Sequence, residues 1–509
     1  MPLLAKLAFR NLWRHRGQSL VIGTILFLGA FLMTLGNGII TGMERGLRLT
    51  VARGFTGDLV LLPEAQKSDN VFMEMMGRAI EPLYGYPEIK AALEANPLVS
   101  AHLPIGKGTV MVLNEDDGPG VFLYLIGADF ARYAEFFPHN LKLLEGAMPP
   151  AGKPGLLLPT GARNDIQRQS NLWFRPRGGG PDTAGMDADA RAHASLLSRK
   201  TEIVLMGFND ANTATDIRLP VDGIFRYRAL NTIFGAFALA DIESFRRCTG
   251  FFTSSDRPGA PLAARDSALL ELDEGGLDRL LGGDFPAEAS ARPPPEAADT
   301  SRGQAPAAGG PSLEAGAYNM VLVAVKEGTD GDKAAAALTR DLAARKLPVR
   351  AVTWQKALGP IGSMATLIKA ALTLFVAFLF MIAAIIIVNT LTMAAMERTP
   401  ELGMMRAIGA RKAFITRMFL AETAMLALLF GGAGIAVAAV ATSVLAAVGI
   451  TSENDMLQLA FGGDTFRPLL APGDFLLAAA QLVMVTLVAV VYPVLMARRI
   501  SPLDAVYRE

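Results

Sequence analysis

The stretch Glu397-Arg398-Thr399-Pro400-Glu401-Leu402-Gly403-Met404-Met405-Arg406-Ala407-Ile408-Gly409-Ala410-Arg411 is a short polar segment wedged between two long apolar runs. Thr399 suits an N-cap, Pro400 the first helical position and Glu401 the positive end of a helix dipole. Gly409 can close the helix in a left-handed turn. These signals predict a short helix delimited at both ends. Leu402, Met405 and Ile408 recur at three-residue steps while Glu401, Arg406 and Arg411 stay polar, so one face suits lipid or a partner's groove. An ordinary solvated loop between membrane helices is the alternative.

The flanking runs set the architecture. Hydrophobic residues make up 51% of the 509-residue chain and charged residues only 19%, which is oilier than a typical soluble domain. Ser19 to Ile40 and Ala370 to Met396 carry no charge, and each is long enough for roughly 30 Å of hydrocarbon. A third run, Phe419 to Ile450, is interrupted by Glu422 alone, and a fourth, Phe475 to Ala497, holds Pro493 near its inner end. The expected order is an amphipathic helix over 1–18, spans at 19–41, 363–396, 415–450 and 475–497, and a short loop at 451–474. Residues 397–412 form the polar helix, 498–509 a tail, and 42–362 one large folded block.

Charge assigns the sides. Lys6, Arg10, Arg14 and Arg16 precede the first span without an acid, and Arg398, Arg406, Arg411, Lys412 and Arg417 outnumber Glu397 and Glu401 after the second. Both segments read as cytoplasmic. Glu453, Asp455, Asp464 and Asp474 face only Arg467 in the last loop, whereas Arg498, Arg499 and Arg508 return in the tail. Both termini are therefore expected inside and the large block outside. A cleaved signal peptide is the alternative for the first span, but its apolar run exceeds a signal core and no A-x-A-like site follows. The net charge of zero and the lack of a basic domain give no reason to expect nucleic-acid binding.

Within the block, Asp58 to Leu62, Gly108 to Leu113 and Val121 to Ile126 read as strands, and Pro87 to Asn96 as a helix. Tyr318 to Val325, Asp332 to Lys346 and Val349 to Trp354 read as a β-α-β unit of ferredoxin-like type. The earlier pieces would supply the other half, so an α+β domain assembled from distant segments is expected. From about 254 to 311 the run of Pro293-Pro294-Pro295, Gly309-Gly310 and many small polar residues predicts a flexible insertion, with a short helix around Leu269 to Leu281 at most. A second Gly-rich loop spans Gly178 to Asp189. Cys248 is the single cysteine and has no internal disulfide partner.

No chemistry is announced. There is no Gly-x4-Gly-Lys-Ser/Thr string; Gly146 with Gly152-Lys153-Pro154 has the wrong spacing and lacks the hydroxyl. His15, His102, His139 and His193 are scattered and read as surface or strand residues rather than metal ligands. No catalytic residue, metal site or cofactor is assigned. The polar residues inside the spans are few: Glu422 can bridge to Arg417 or Arg406 or sit as an interfacial carboxylate, Asn389 can bond a neighbouring helix, and Lys369 can snorkel outward. Gly431-Gly432-Ala433-Gly434 offers a surface for close helix approach.

This pattern resembles the FtsX/MacB-type permeases of ABC transporters. Glu397 to Arg411 is similar to the family's cytoplasmic segment, Ala8-Phe9-Arg10-Asn11-Leu12-Trp13-Arg14 to its leading amphipathic helix, and Arg499-Ile500-Ser501-Pro502-Leu503-Asp504-Ala505-Val506 to its closing motif. Ile126-Gly127-Ala128-Asp129 and Leu144-Glu145-Gly146 resemble pieces of the outer domain. The resemblance implies a coupling helix at Glu397 to Arg411 that docks on a separate ATPase subunit, which would bind the ATP and Mg. The second span would carry its motion to the periplasmic domain. Asn37 to Leu47 and Thr56-Gly57-Asp58-Leu59-Val60 look closest to the lipoprotein-releasing branch typified by LolC and LolE. That branch implies an inner-membrane location, a second permease copy or a related one, lipoprotein or amphiphilic cargo and a periplasmic carrier. A MacB-like efflux permease and an FtsX-like regulator of a cell-wall hydrolase are the alternatives.

Overall fold

The computed structural model describes residues 10, 12–14, 16–73, 80–116, 118–138, 140–150, 152–177, 191, 197–208, 214–251, 253, 313–326, 328–397, 404–452 and 454–499. Most of the amphipathic start, the Gly-rich loop, the insertion with its expected helix and nearly all of the tail lie outside them. The chain divides into two compact units, residues 1–52 with 360–509, and residues 53–359.

Among the described residues, four helices of the first unit are long and apolar enough to cross a membrane. The first runs from Arg16 to Leu47 and continues as π-helical turns over Arg48–Thr56. The second spans Pro360–Glu397, the third runs from Lys412 to Val448 with a π-helical step at Ala427–Gly431, and the fourth spans Pro472–Arg499. Their shared core includes Leu26, Ile387, Phe419 and Ala489. Hydroxyls inside the helices bond the carbonyl one turn back, as Thr34 does to Ala30 at 2.7 Å and Thr442 to Ala438 at 2.7 Å, which satisfies them without water. Glycines set the closest approaches. A Cβ on Gly434 would lie 2.4 Å from the Phe27 carbonyl oxygen, and one on Gly431 2.6 Å from Leu482, so the expected small-residue surface does receive neighbouring helices. A Cβ on Gly42 would lie 2.6 Å from the Cα of Pro468, in the loop before the fourth helix.

The second unit is α/β. Its strands are β1 (Leu59–Pro63), β2 (Val99–Val112), β3 (Val121–Ala128), β4 (Leu141–Gly146), β5 (Leu156–Pro159), β6 (Leu172–Phe174), β7 (Ser198–Lys200), β8 (Glu202–Phe208), β9 (Ala214–Tyr227), β10 (Phe237–Asp241), β11 (Met320–Val325) and β12 (Val349–Thr353). Helices α1 (Tyr86–Ala95), α2 (Ile242–Thr249) and α3 (Gly331–Ala344) pack on them. Pro87 opens α1, Asn96 caps it, and the Asp330 carboxylate caps α3 by accepting from Lys333 N at 3.1 Å.

The order β12-β1-β11-β2 is antiparallel throughout. It is the ferredoxin-like arrangement, with β1-α1-β2 as one half and β11-α3-β12 as the other, joined across more than 200 residues. β1 is central and buried along its whole length, as its run of Leu-Val-Leu-Leu requires. β2 is longer than the expected strand: Val99 to Ile105 pairs with β11, and Gly106 to Val112 with β3. From there the pairing β2-β3-β10-β5-β9-β8 closes back on β2, with β4 as an edge on β9. Phe245 of α2 covers this second sheet, and a Cβ at Gly106 or Gly127 would come within 2.1 or 2.3 Å of it. Glycine is the residue that fits beneath that ring. Phe55, within the π-helical turns of Arg48–Thr56, stacks on Phe234 at 4.0 Å amid Phe72, Tyr227 and Phe237.

Candidate functional site

Of the polar segment, Glu397 closes the second apolar helix, residues 398–403 lie outside the described ones, and Met404 to Ala407 are helical. The end follows the expected geometry. Gly409 has φ +102°, its N–H bonds the Arg406 carbonyl at 3.0 Å, and the Ala410 N–H reaches back to Met405 at 3.0 Å. This is a Schellman closure. The apolar stripe differs from the expectation. Met405 packs against the helix core, whereas Met404 and Ile408 are 61% and 83% exposed. Three-residue steps drift by about 60° each around a helix of 3.6 residues per turn, so Met405 and Ile408 do not share a line, and the four-residue pair does. The segment thus offers two outward apolar side chains beside Arg406.

Glu422 is buried in the third helix at 6% exposure, among the packed helices rather than at an open interface. Asn389 lies on the exposed side of the second helix and bonds no neighbouring helix among the described residues, contrary to expectation: the inward positions beside it are Ile387 and Leu391. Lys369 does not run free to the surface but pairs with Glu44 of the first helix at 2.9 Å.

The α/β unit holds polar constellations that the sequence did not announce. Glu314 accepts from Lys90 at 2.8 Å and Arg132 at 2.6 Å, and those bonds hold its carboxyl below the usual range. His102, on β2 as expected of a strand residue, meets the Tyr86 hydroxyl through Nδ1 at 3.0 Å, and burial lowers its pKa. Arg246 is fully buried: it donates to Ala317 O at 2.8 Å, to Leu313 O at 3.1 Å and to Glu243 at 2.6 Å, and lies over the Tyr318 ring. It ties α2 to the chain that returns after residue 312. Arg163 is likewise buried, stacked on Trp173 and paired with Glu145 at 2.9 Å. Burial pushes the Cys248 thiol up to about 12, so it is an inert core residue. Among the described residues no group of three His, Cys, Asp or Glu side chains could hold a metal.

Comparison with known proteins gives a family match over residues 373–502, to the FtsX-like permease C-terminal family. The ABC transporter permease YtrF of Bacillus subtilis is 56% identical over 48 residues, 9% of this chain and 11% of that protein. The macrolide export ATP-binding/permease protein MacB of Shigella boydii is 30% identical over 195 residues, 38% of this chain and 28% of that protein, and its Escherichia coli K12 counterpart 31% over 119 residues, 23% and 18%. The chain therefore aligns with less than a third of the length of these curated relatives. The periplasmic region of MacB from Actinobacillus actinomycetemcomitans aligns at a TM-score of 0.27 and 9% identity, covering 59% of this chain and 91% of that one. The match takes in most of the second apolar helix with the third and fourth and encloses the Gly409-closed segment, so residues 373–502 form an FtsX-like permease C-terminal region in a chain that also carries a large α/β unit after its first helix.

Proposed function

We propose that this permease is driven by an ATPase on a separate chain, which holds the ATP and Mg, and that residues 397–412 receive its motion. One observation carries the reading: a closed helical end presents Met404 and Ile408 outward, inside the matched region and between two membrane-length helices. Amphipathic anchors of this kind suit a groove on a partner. The basic residues around the segment support a cytoplasmic position under the positive-inside rule, with the α/β unit in the periplasm and the helices in the inner membrane. The second helix then passes the motion outward, and the α/β unit releases lipoprotein or a similar amphiphile to a carrier. Two permeases, identical or related, complete the membrane part. Relatives named for macrolide export favour a second reading, in which the same motion drives efflux.

Met404→Asp combined with Ile408→Asp tests the coupling. Copurification with the ATPase is expected to fall at least tenfold while membrane insertion is unchanged; undiminished copurification rejects it. Depletion of the permease separates the cargoes: lipoproteins held in the inner membrane support release, and a selective gain in drug sensitivity supports efflux.

A further inference from the structure

β4 is the terminal strand of its sheet, paired on one side with β9. Its register jumps between Leu143 and Glu145, which leaves Leu144 as a bulge. Leu143, Leu144 and Met148 are 43%, 46% and 39% exposed, an open apolar ridge on a strand edge. Lys142 stands directly opposite Arg226 across the ladder, and Arg228 follows, exposed, just past the end of β9. Like charges so opposed repel. None of these three cations makes an ion pair or a side-chain hydrogen bond among the described residues, and the adjacent acid, Glu145, is taken by Arg163 at 2.9 Å. A lone lysine on an edge strand commonly guards against aggregation. Two exposed leucines in the same strand do the opposite, so guarding does not explain the patch.

The patch is also tied to the first residues of its own unit: the Asn140 amide, one residue before β4, donates to the Gly54 carbonyl at 2.9 Å, and the Arg228 N–H donates to Asn140 O at 2.9 Å. Unpaired cations beside projecting apolar side chains are the composition of a surface that settles into headgroups.

We propose that the β4–β9 edge rests on an anionic lipid surface, with Lys142, Arg226 and Arg228 meeting headgroup phosphates and Leu143, Leu144 and Met148 entering the acyl boundary. The inference is independent of the ATPase-coupling reading. The test places the full chain in nanodiscs of phosphatidylcholine alone or with phosphatidylglycerol, with an environment-sensitive dye on Leu144→Cys; buried Cys248 stays unlabelled. A blue shift, and quenching by a spin-labelled lipid at least twofold stronger in the anionic discs, is expected. Both should weaken with salt and disappear in Lys142→Glu/Arg226→Glu/Arg228→Glu; the triple Gln variant, which keeps side-chain length without charge, should lose only the dependence on phosphatidylglycerol. Equal emission without quenching in both compositions overturns the proposal. A signal that instead follows added polyglutamate overturns it in favour of an acidic protein partner.

Discussion

The two units of this chain place their apolar side chains in opposite ways. In the membrane unit Leu374, Leu428 and Leu476 expose 72–76% of their surface, while the interior mixes Leu26, Ile387 and Phe419 with alanines and with hydroxyls bonded to their own helix. In the α/β unit β1 is entirely buried, and two arginines lie at 0% exposure inside. The difference identifies the solvent of each part. Leucine gains little by turning inward when lipid surrounds it, whereas in water burial in a core is the main stabilisation open to such a side chain.

The comparison can be broken most severely at Arg246. Arg246→Ala leaves the Ala317 and Leu313 carbonyls and Glu243 without their buried donor, and should lower stability by about 3–5 kcal/mol. Tryptophan fluorescence during thermal unfolding of the detergent-purified chain reads this, and an unchanged midpoint would show that the α/β unit does not depend on its buried charge. In the membrane unit the counterpart is a glycine. Gly42→Leu drives a side chain into the backbone at Pro468 and should cost about 1–3 kcal/mol, whereas Gly432→Ala, with open space around its Cβ, should be neutral or slightly stabilising. Equal melting temperatures for the two variants would refute the packing described.

A smaller effect concerns pH. Burial lowers the His102 pKa against the opposing pull of Glu94, with Lys90 and Arg132 adding to the lowering. The unfolded chain therefore binds the proton more readily, and His102 favours the folded state above about pH 6.5 and disfavours it as pH falls below that value. The melting temperature of the parent should drop between pH 7 and pH 5 by more than that of His102→Asn; parallel curves would remove His102 from the account. Smallest of all, Leu428→Ala on the lipid-facing side should change stability in detergent by under about 0.5 kcal/mol, and a core-sized loss would mean that this face is packed.

The same contrast explains what the sequence disclosed. A helix that crosses lipid must carry its apolar run in one piece, so all four were visible, as was the turn at Gly409. β1, α1, β11, α3 and β12 were visible too, because each carries its own periodicity and caps. β5, β8, β9 and β10 were not anticipated. β9 holds Asp216, Arg218 and Pro220 among its first residues, which read as loop, and its strand character comes from partners β4, β5 and β8 rather than from local preference. Val99 to Ile105 was missed for a related reason, since His102 and Pro104 disguise a strand that β11 completes. The polar clusters around Arg246 and Glu314 join residues far apart in the chain, and no spacing rule reaches across such gaps.

β2 belongs to both sheets as one unbroken strand, its first half bonded to β11 and its second to β3. A single backbone spanning two sheets behaves as a beam: neither half can pivot against the other without snapping ladder hydrogen bonds. Bending at the Ile105–Gly106 junction would therefore disturb the ladders of both sheets at once.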